Sequence, residues 1–308
     1  MTRLVHSAGG FIRSLQMSSS HVFAFVEGRL DRPFLDRLLH QVLAATELKH
    51  QVIAIKEIPG STGGKPTLLS TFRSFRTQRN LRSKPFGKSM VCVFVADKDG
   101  DDFCGTIVRS PHLIYSPTYD LESHLISCAD LHRGLSDSCG ITAAQAKEII
   151  PDPQAWIRRM ASNWKEWMAL CLVSQSKSVN CGCTFDRISQ VNPNPLDVAD
   201  PVAVEGFKVL LAARLGIDRA AFDQLYAAAE RAVEWSIRHS KPMRYFKGKW
   251  YGHVLQEHLA VQNKPADANF NGVWERLAAT LVAQVAQRSG CKCCGHYETR
   301  IAALSAGM

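Results

Sequence analysis

His21-Val22-Phe23-Ala24-Phe25-Val26-Glu27-Gly28-Arg29-Leu30-Asp31 runs an apolar segment into two acids, and Val91-Cys92-Val93-Phe94-Val95-Ala96-Asp97-Lys98-Asp99 repeats the arrangement. Short β-branched and aromatic runs without alternation read as strands buried on both faces, the habit of parallel sheets. In such sheets ligands gather at the carboxyl ends of the strands. Glu27, Asp31, Asp97 and Asp99 are therefore expected at one edge. Clustered carboxylates repel unless a cation lies among them, and hard oxygen ligands suit Mg²⁺ or Mn²⁺.

Outward from these runs, strand and helix alternate. Residues 32–46 carry Phe34, Leu35, Leu38, Leu39 and Val42 at helical spacing, and 51–56 read as a second strand. A loop over 59–66 leads to a helix near 67–79, and 112–115 form a short fourth strand after the one at 91–96. Beyond about residue 141 the pattern turns to long helices at 153–175, 201–215, 217–239, 253–261 and 271–287. The expected fold class is α/β, a mainly parallel sheet flanked by helices and followed by a mostly helical C-terminal region. The division places a sheet domain at 20–140 and a helical domain at 141–308.

Glu-Gly-x-x-Asp after one strand and Asp-x-Asp after another resemble the Toprim pattern. Tyr119-Asp120-Leu121-Glu122-Ser123-His124-Leu125 resembles the Tyr-Asp-x-Glu-x-x-Leu segment of OLD-like Toprim nucleases, a group that includes the effector nuclease of the PARIS anti-phage system. Gly63-Gly64-Lys65 and Gly248-Lys249 fit the same subgroup. The resemblance spans roughly residues 22–125 and is thin beyond them, except near Lys249. It implies a Toprim-like sheet and Mg²⁺-dependent phosphodiester hydrolysis. Catalytic roles fall to Glu27, Asp97, Asp99 and Lys249, and metal ligation to Glu27, Asp31, Asp97, Asp99 and Glu122, with Asp120 beside them. It also implies a homodimeric toxin that cleaves RNA, in particular tRNA, and is restrained by an ABC-type ATPase partner until infection.

The bulk numbers agree with an anionic partner. The 308 residues are 46% apolar and 21% charged, with a formal net charge of +9. Lys65, Arg73, Arg76, Arg79, Arg82 and Lys84 lie in a stretch without acids, and the spacing of the middle three predicts one helical face for gripping phosphates. Residues 238–251 interleave Arg and Lys with Tyr245, Phe246, Trp250 and Tyr251, a composition that suits unstacked bases or plain core. Gly60-Ser61-Thr62-Gly63-Gly64-Lys65-Pro66 fails as a P-loop: the spacing is one short, and Pro66 replaces the Mg²⁺-holding hydroxyl.

No apolar run is long enough to span a bilayer, and residues 1–20 lack the core of a secretory signal, so a cytoplasmic protein without a membrane partner is expected. Ten cysteines then point to free thiols or metal, and Cys291 and Cys294 with Cys181 and Cys183 offer a structural zinc set. Two other readings stand beside the nuclease. Acids at strand ends also serve as turn residues or caps, with Asp31 ahead of Pro33 patterned as an N-cap. In one, the acids bind Mg²⁺ only for stability and the chain is a non-catalytic metal-binding and nucleic-acid-binding subunit of a defence complex. The other is a Toprim nuclease that cuts DNA.

Overall fold

The computed structural model describes residues 8–28, 30–179, 182, 187–194, 196–261, 272–287 and 294–308. Its elements begin with α1 (Ala8–Met17), β1 (Val22–Val26), α2 (Asp31–Leu43), β2 (His50–Ala54), α3 (Gly64–Thr77), β3 (Arg82–Ser83), β4 (Met90–Ala96), α4 (Asp101–Cys104) and β5 (Leu113–Tyr115). Helices follow: α5 (Leu121–Cys128), α6 (Leu131–Cys139), α7 (Ala143–Ile149), α8 (Pro153–Asn163), α9 (Lys165–Ser176), α10 (Pro201–Leu215), α11 (Arg219–Arg238), α12 (Gly248–Val261), α13 (Val273–Gln287) and α14 (Gly295–Ser305).

The two apolar runs are β1 and β4. All of β1 is buried, and all of β4 except Val95. They pair in parallel, with Val22 opposite Val91 and Val26 opposite Val95. β2 adds in parallel to the other edge of β1. The second edge of β4 is shared. β3 pairs antiparallel at Met90 and Val91, and β5 pairs parallel at positions 94–96. The fold is thus α/β around a mainly parallel sheet of five strands. The antiparallel β3 has only two residues, too few to carry a periodic signal.

Phe25 and Phe94 stack across the β1–β4 pair at 4.6 Å, and Phe75 of α3 meets both edge-on. Such offset and edge-on ring pairs add to plain apolar burial. The two compact units do not coincide with a cut after residue 140. One holds the described residues of Met1–Asp97, Val108–Ser116 and Val282–Met308, and the other those of Lys98–Ile107 and Pro117–Leu281. The C-terminal α14 belongs to the sheet unit because it is bonded there. Tyr297 packs edge-on to Phe34 at 5.5 Å, and a His296 ring nitrogen bonds the Tyr115 carbonyl at 2.9 Å.

In the helical unit, the single helix expected over 153–175 is two. Trp164 breaks it, with φ −99° and ψ 3° between α8 and α9. The Asn163 carbonyl, left at the helix end, accepts from the Asn192 amide at 3.3 Å. The Trp164 ring meets Trp250 and Tyr251 at 6.0 and 5.0 Å. Tyr245, Phe246, Trp250 and Tyr251 are all buried, so the aromatics of 238–251 are core and not a stacking surface. Among the described residues, no helix is long and apolar enough to cross a membrane.

His258 of α12 is 7% exposed, and its Nδ1 accepts the Trp156 indole N–H at 3.2 Å. Burial lowers its pKa below the usual 6.5, with Arg159 adding to the effect. A histidine depressed on folding binds its proton more tightly in the unfolded chain, so stability falls as pH drops through 6.5. Acidification from pH 7.5 to 5 therefore lowers the urea midpoint. His258→Asn keeps an acceptor for Trp156 and makes that fall smaller, as denaturation at the two pH values checks.

Candidate active site

Glu27 is the first residue after β1, and Asp97 is the first after β4. Glu27 Oε1 accepts the Asp97 N–H at 3.0 Å, so a side chain continues the pairing of the two strands past their ends. Asp31 is the first residue of α2, and Leu30, not Asp31, is the N-cap. The Asp31 carboxylate instead turns back to accept the Gly28 N–H at 2.6 Å. A Cβ at position 28 would lie 3.1 Å from that carboxylate, so glycine keeps the turn tight. Lys65, in the first turn of α3, holds its ammonium 5.7 Å over the ring of Tyr115. Tyr115 pairs with Ala96, next to Asp97. The sheet unit thus gathers Glu27, Asp31, Asp97 and Lys65 at its carboxyl edge, all partly exposed.

The other residues expected to be catalytic or to hold Mg²⁺, Asp99, Glu122 and Lys249, belong to the helical unit. Asp99 follows Asp97 by two residues and has φ 50°, in the left-handed region. Asp enters that region more readily than most residues. The Asp99 N–H donates to the Tyr119 carbonyl at 2.8 Å, and the Tyr119 N–H to the Met243 carbonyl at 2.8 Å. Asp120 caps α5 and is 2% exposed. It accepts the Ser123 N–H at 2.7 Å and the Gly248 N–H at 3.1 and 3.2 Å. Burial, with Glu122 adding to it, pushes the Asp120 carboxyl up to about 7, while the Ser123 and Gly248 bonds pull it down. Its role is to clamp two helix starts, which sequence reasoning placed near a metal.

Gly248 shows why those starts meet. A Cβ there would lie 2.3 Å from the Ser123 nitrogen and 2.4 Å from the Glu122 carbonyl carbon, so only glycine permits the approach. The approach brings Lys249 Nζ to 3.9 Å from Glu122 Oε1. The segments Tyr119-Asp120-Leu121-Glu122 and Gly248-Lys249, more than a hundred residues apart in sequence, are therefore one structural feature.

The basic residues divide. Arg73 and Arg76 are exposed on α3, and Lys84 is exposed after β3. Arg79 lies past the helix end at φ 58°, off the face expected to hold three arginines. The Arg82 guanidinium donates to the Leu304 carbonyl and, at 3.2 Å, to the Gly307 carbonyl. It satisfies the end of α14, which no local signal could reveal. Of the expected zinc ligands, Cys181, Cys183 and Cys291 lie outside the described residues, and Cys294 is buried at the start of α14.

Sequence reasoning passed over Lys98 and Asp102. Lys98 Nζ donates to the Pro117 carbonyl at 2.7 Å. Burial pulls its ammonium down to about 8, helped by Arg244 and Lys241 and opposed by Asp102. Asp102, in the first turn of α4, accepts from Arg244 Nε at 2.9 Å and is 18% exposed. Among the described residues, no three His, Cys, Asp or Glu side chains are grouped to hold a metal ion. No protein-family model matches the chain, and neither does any curated protein.

Gly248→Ala forces α12 off the first turn of α5. Overpacking of this kind costs roughly 1–3 kcal/mol. A lowered urea midpoint, with Ala substitution at exposed Gly9 as the control, is the expected result.

Proposed function

We propose that the chain is a metal-dependent nuclease of the Toprim type, similar to OLD-like effectors of anti-phage defence. One observation carries the reading. Glu27 and Asp97, the acids of the two sequence motifs, follow adjacent parallel strands and are joined by a hydrogen bond at 3.0 Å. Asp31 is bonded into the same turn as Glu27.

The donor set suits Mg²⁺ or Mn²⁺. Mg²⁺ is usually held by one or two carboxylates, with water and substrate phosphate completing its shell, so a three-acid cage is not required. A carboxylate has about four acceptor directions, and holding one N–H is compatible with ligation. Glu27, Asp31 and Asp97 would hold the ion, and the resemblance adds Asp99 and Glu122 to the ligands. A bound divalent cation supplies Lewis acidity and charge neutralisation for phosphodiester hydrolysis. The resemblance assigns Glu27 to metal ligation or to taking a proton from an attacking water. Lys65 adds a cation at the same sheet edge, where a phosphate oxygen gains charge. Lys249, paired with Glu122, is assigned to charge stabilisation or leaving-group protonation. Arg73, Arg76 and Lys84 remain exposed for backbone phosphates.

The resemblance extends the proposal to RNA over DNA, tRNA in particular, and to a homodimer acting in the cytoplasm under restraint by an ATPase partner. A second reading has its own observation. Glu27 and Asp31 each hold a backbone N–H of the site's own turns, which is what acids kept for structure would do. The chain is then a non-catalytic binding subunit.

Glu27→Gln separates the two, because glutamine retains an oxygen for the Asp97 N–H but loses the negative charge and the base. With induced expression and mapping of new RNA and DNA ends, the wild type is expected to yield Mg²⁺-dependent tRNA fragments. The variant should cleave roughly 10²–10⁴-fold less. Broken DNA with intact RNA keeps the nuclease and discards the tRNA target. Equal cleavage by both proteins, or none by either, favours the binding subunit.

A further inference from the structure

We propose that a cavity within the helical unit is a binding site for a single nucleotide, with the phosphate at Lys241 and Lys98 and the base on an apolar floor. The cavity holds about 500 Å³, within the usual range for small-molecule sites. Three cations line it, Lys98, Lys241 and Arg244, against one acid, Asp102. The Arg244–Asp102 pair at 2.9 Å neutralises one of them and fixes the guanidinium, which also lies over the rings of Trp235 and Tyr245 at 5.4 and 5.3 Å. Among the described residues, no carboxylate is within ion-pair distance of Lys241, whose ammonium lies 5.6 Å from the Trp235 ring. Lys241 therefore brings a positive charge to the lining that no carboxylate among the described residues pairs, and an anion is the chemistry that balances it.

The floor has a different character. Ile157, Pro242 and Met243 are buried and line the cavity, offering apolar surface to a ring. Gln154 also lines the cavity, and its amide N–H donates to the Ser127 carbonyl at 3.4 Å, which leaves the side-chain oxygen as an acceptor for a ring N–H. Cationic, apolar and hydrogen-bonding groups in one lining match phosphate, base and base edge. The nucleotide is either free or one unpaired nucleotide of a strand. Only the strand-bound form rests on the nuclease reading.

The test is calorimetric titration of the 308-residue Glu27→Gln protein in EDTA, which reads binding without cleavage or metal. The probes are the four nucleoside 5′-monophosphates, ribose 5-phosphate and a single-stranded RNA 12-mer. Lys241→Glu reverses one charge, and Gln154→Trp obstructs the rim. Both positions are exposed, and circular dichroism checks that the fold is kept. At least one monophosphate or the 12-mer is expected to bind, and each variant should weaken it by about tenfold or more, as loss of a charge-assisted contact does. A 12-mer that displaces the monophosphate and weakens in both variants identifies a strand-bound nucleotide. A monophosphate that the 12-mer does not displace identifies a free one. The proposal is overturned by no binding of any probe, by binding unchanged in both variants, or by ribose 5-phosphate binding as tightly as the monophosphates. Binding without cleavage by the wild type keeps the cavity and removes the nuclease. Cleavage untouched by both variants, with no monophosphate bound, does the reverse.

Discussion

Two parallel strands laid side by side must release their chains at the same edge of the sheet. β1 and β4 do so with Glu27 and Asp97 as the next residues. Both strands are buried along almost their whole length, so slipping the register would misplace apolar side chains on each face. The Glu27–Asp97 hydrogen bond adds a side-chain rung just past the backbone ladder. The chain passes into the helical unit after Asp97 and again after Ser116, each time just past the carboxyl end of a strand. The position of the acids is thus a consequence of strand direction more than of any local preference of the acids themselves.

Much of this was legible. Unbroken apolar runs gave β1 and β4, and helical spacing gave α2, α10 and α11 within a few residues. Features without periodicity escaped. β3 is two residues long, and its partner is set by tertiary pairing. The apolar stripe over 153–175 passes through Trp164 without interruption, yet the helix breaks there. The break follows from where the indole packs and from Asn192 reaching back to the Asn163 carbonyl, neither of which is local.

Of the acids expected at the sheet edge, Glu27 and Asp97 follow adjacent strands and share a hydrogen bond, and the bonding of Asp31 differs from its sequence context. Asp31 has the sequence context of a cap, yet it bonds Gly28 from inside the helix. Asp120, grouped by its motif with the metal ligands, holds the Ser123 and Gly248 N–H groups at the starts of α5 and α12. Its neighbour Gly248 holds the reason, since backbone lies where a Cβ would be. Arg82 shows the same limit on the basic side. Charge density and spacing group it with Arg73 and Arg76, while its partners are carbonyls more than two hundred residues later. A linear pattern reports what a residue is able to do, and the contact that decides its use lies elsewhere in the chain.

The Asp97-Lys98-Asp99-Gly100 turn joins these strands of argument. Read as Asp-x-Asp, it treats Lys98 as a spacer. The geometry within the helical unit gives that residue a task. Gly100 has no room for a side chain, because a Cβ would lie 2.6 Å from Gln175 Oε1 and 2.9 Å from Leu172 Cδ2. The turn is therefore pressed against α9, and Asp99 takes a left-handed backbone to make the bend. With Gly100 fixed on one side and the Asp99 N–H bonded to Tyr119 on the other, the Lys98 side chain is directed to the Pro117 carbonyl and the cavity wall. A non-glycine residue held at positive φ persists only where its surroundings over-determine it, and such positions collect at functional sites. The backbone that sets out the acids thereby also aims a lysine, so one turn carries both the Asp-x-Asp pattern and a cationic side chain that lines the cavity.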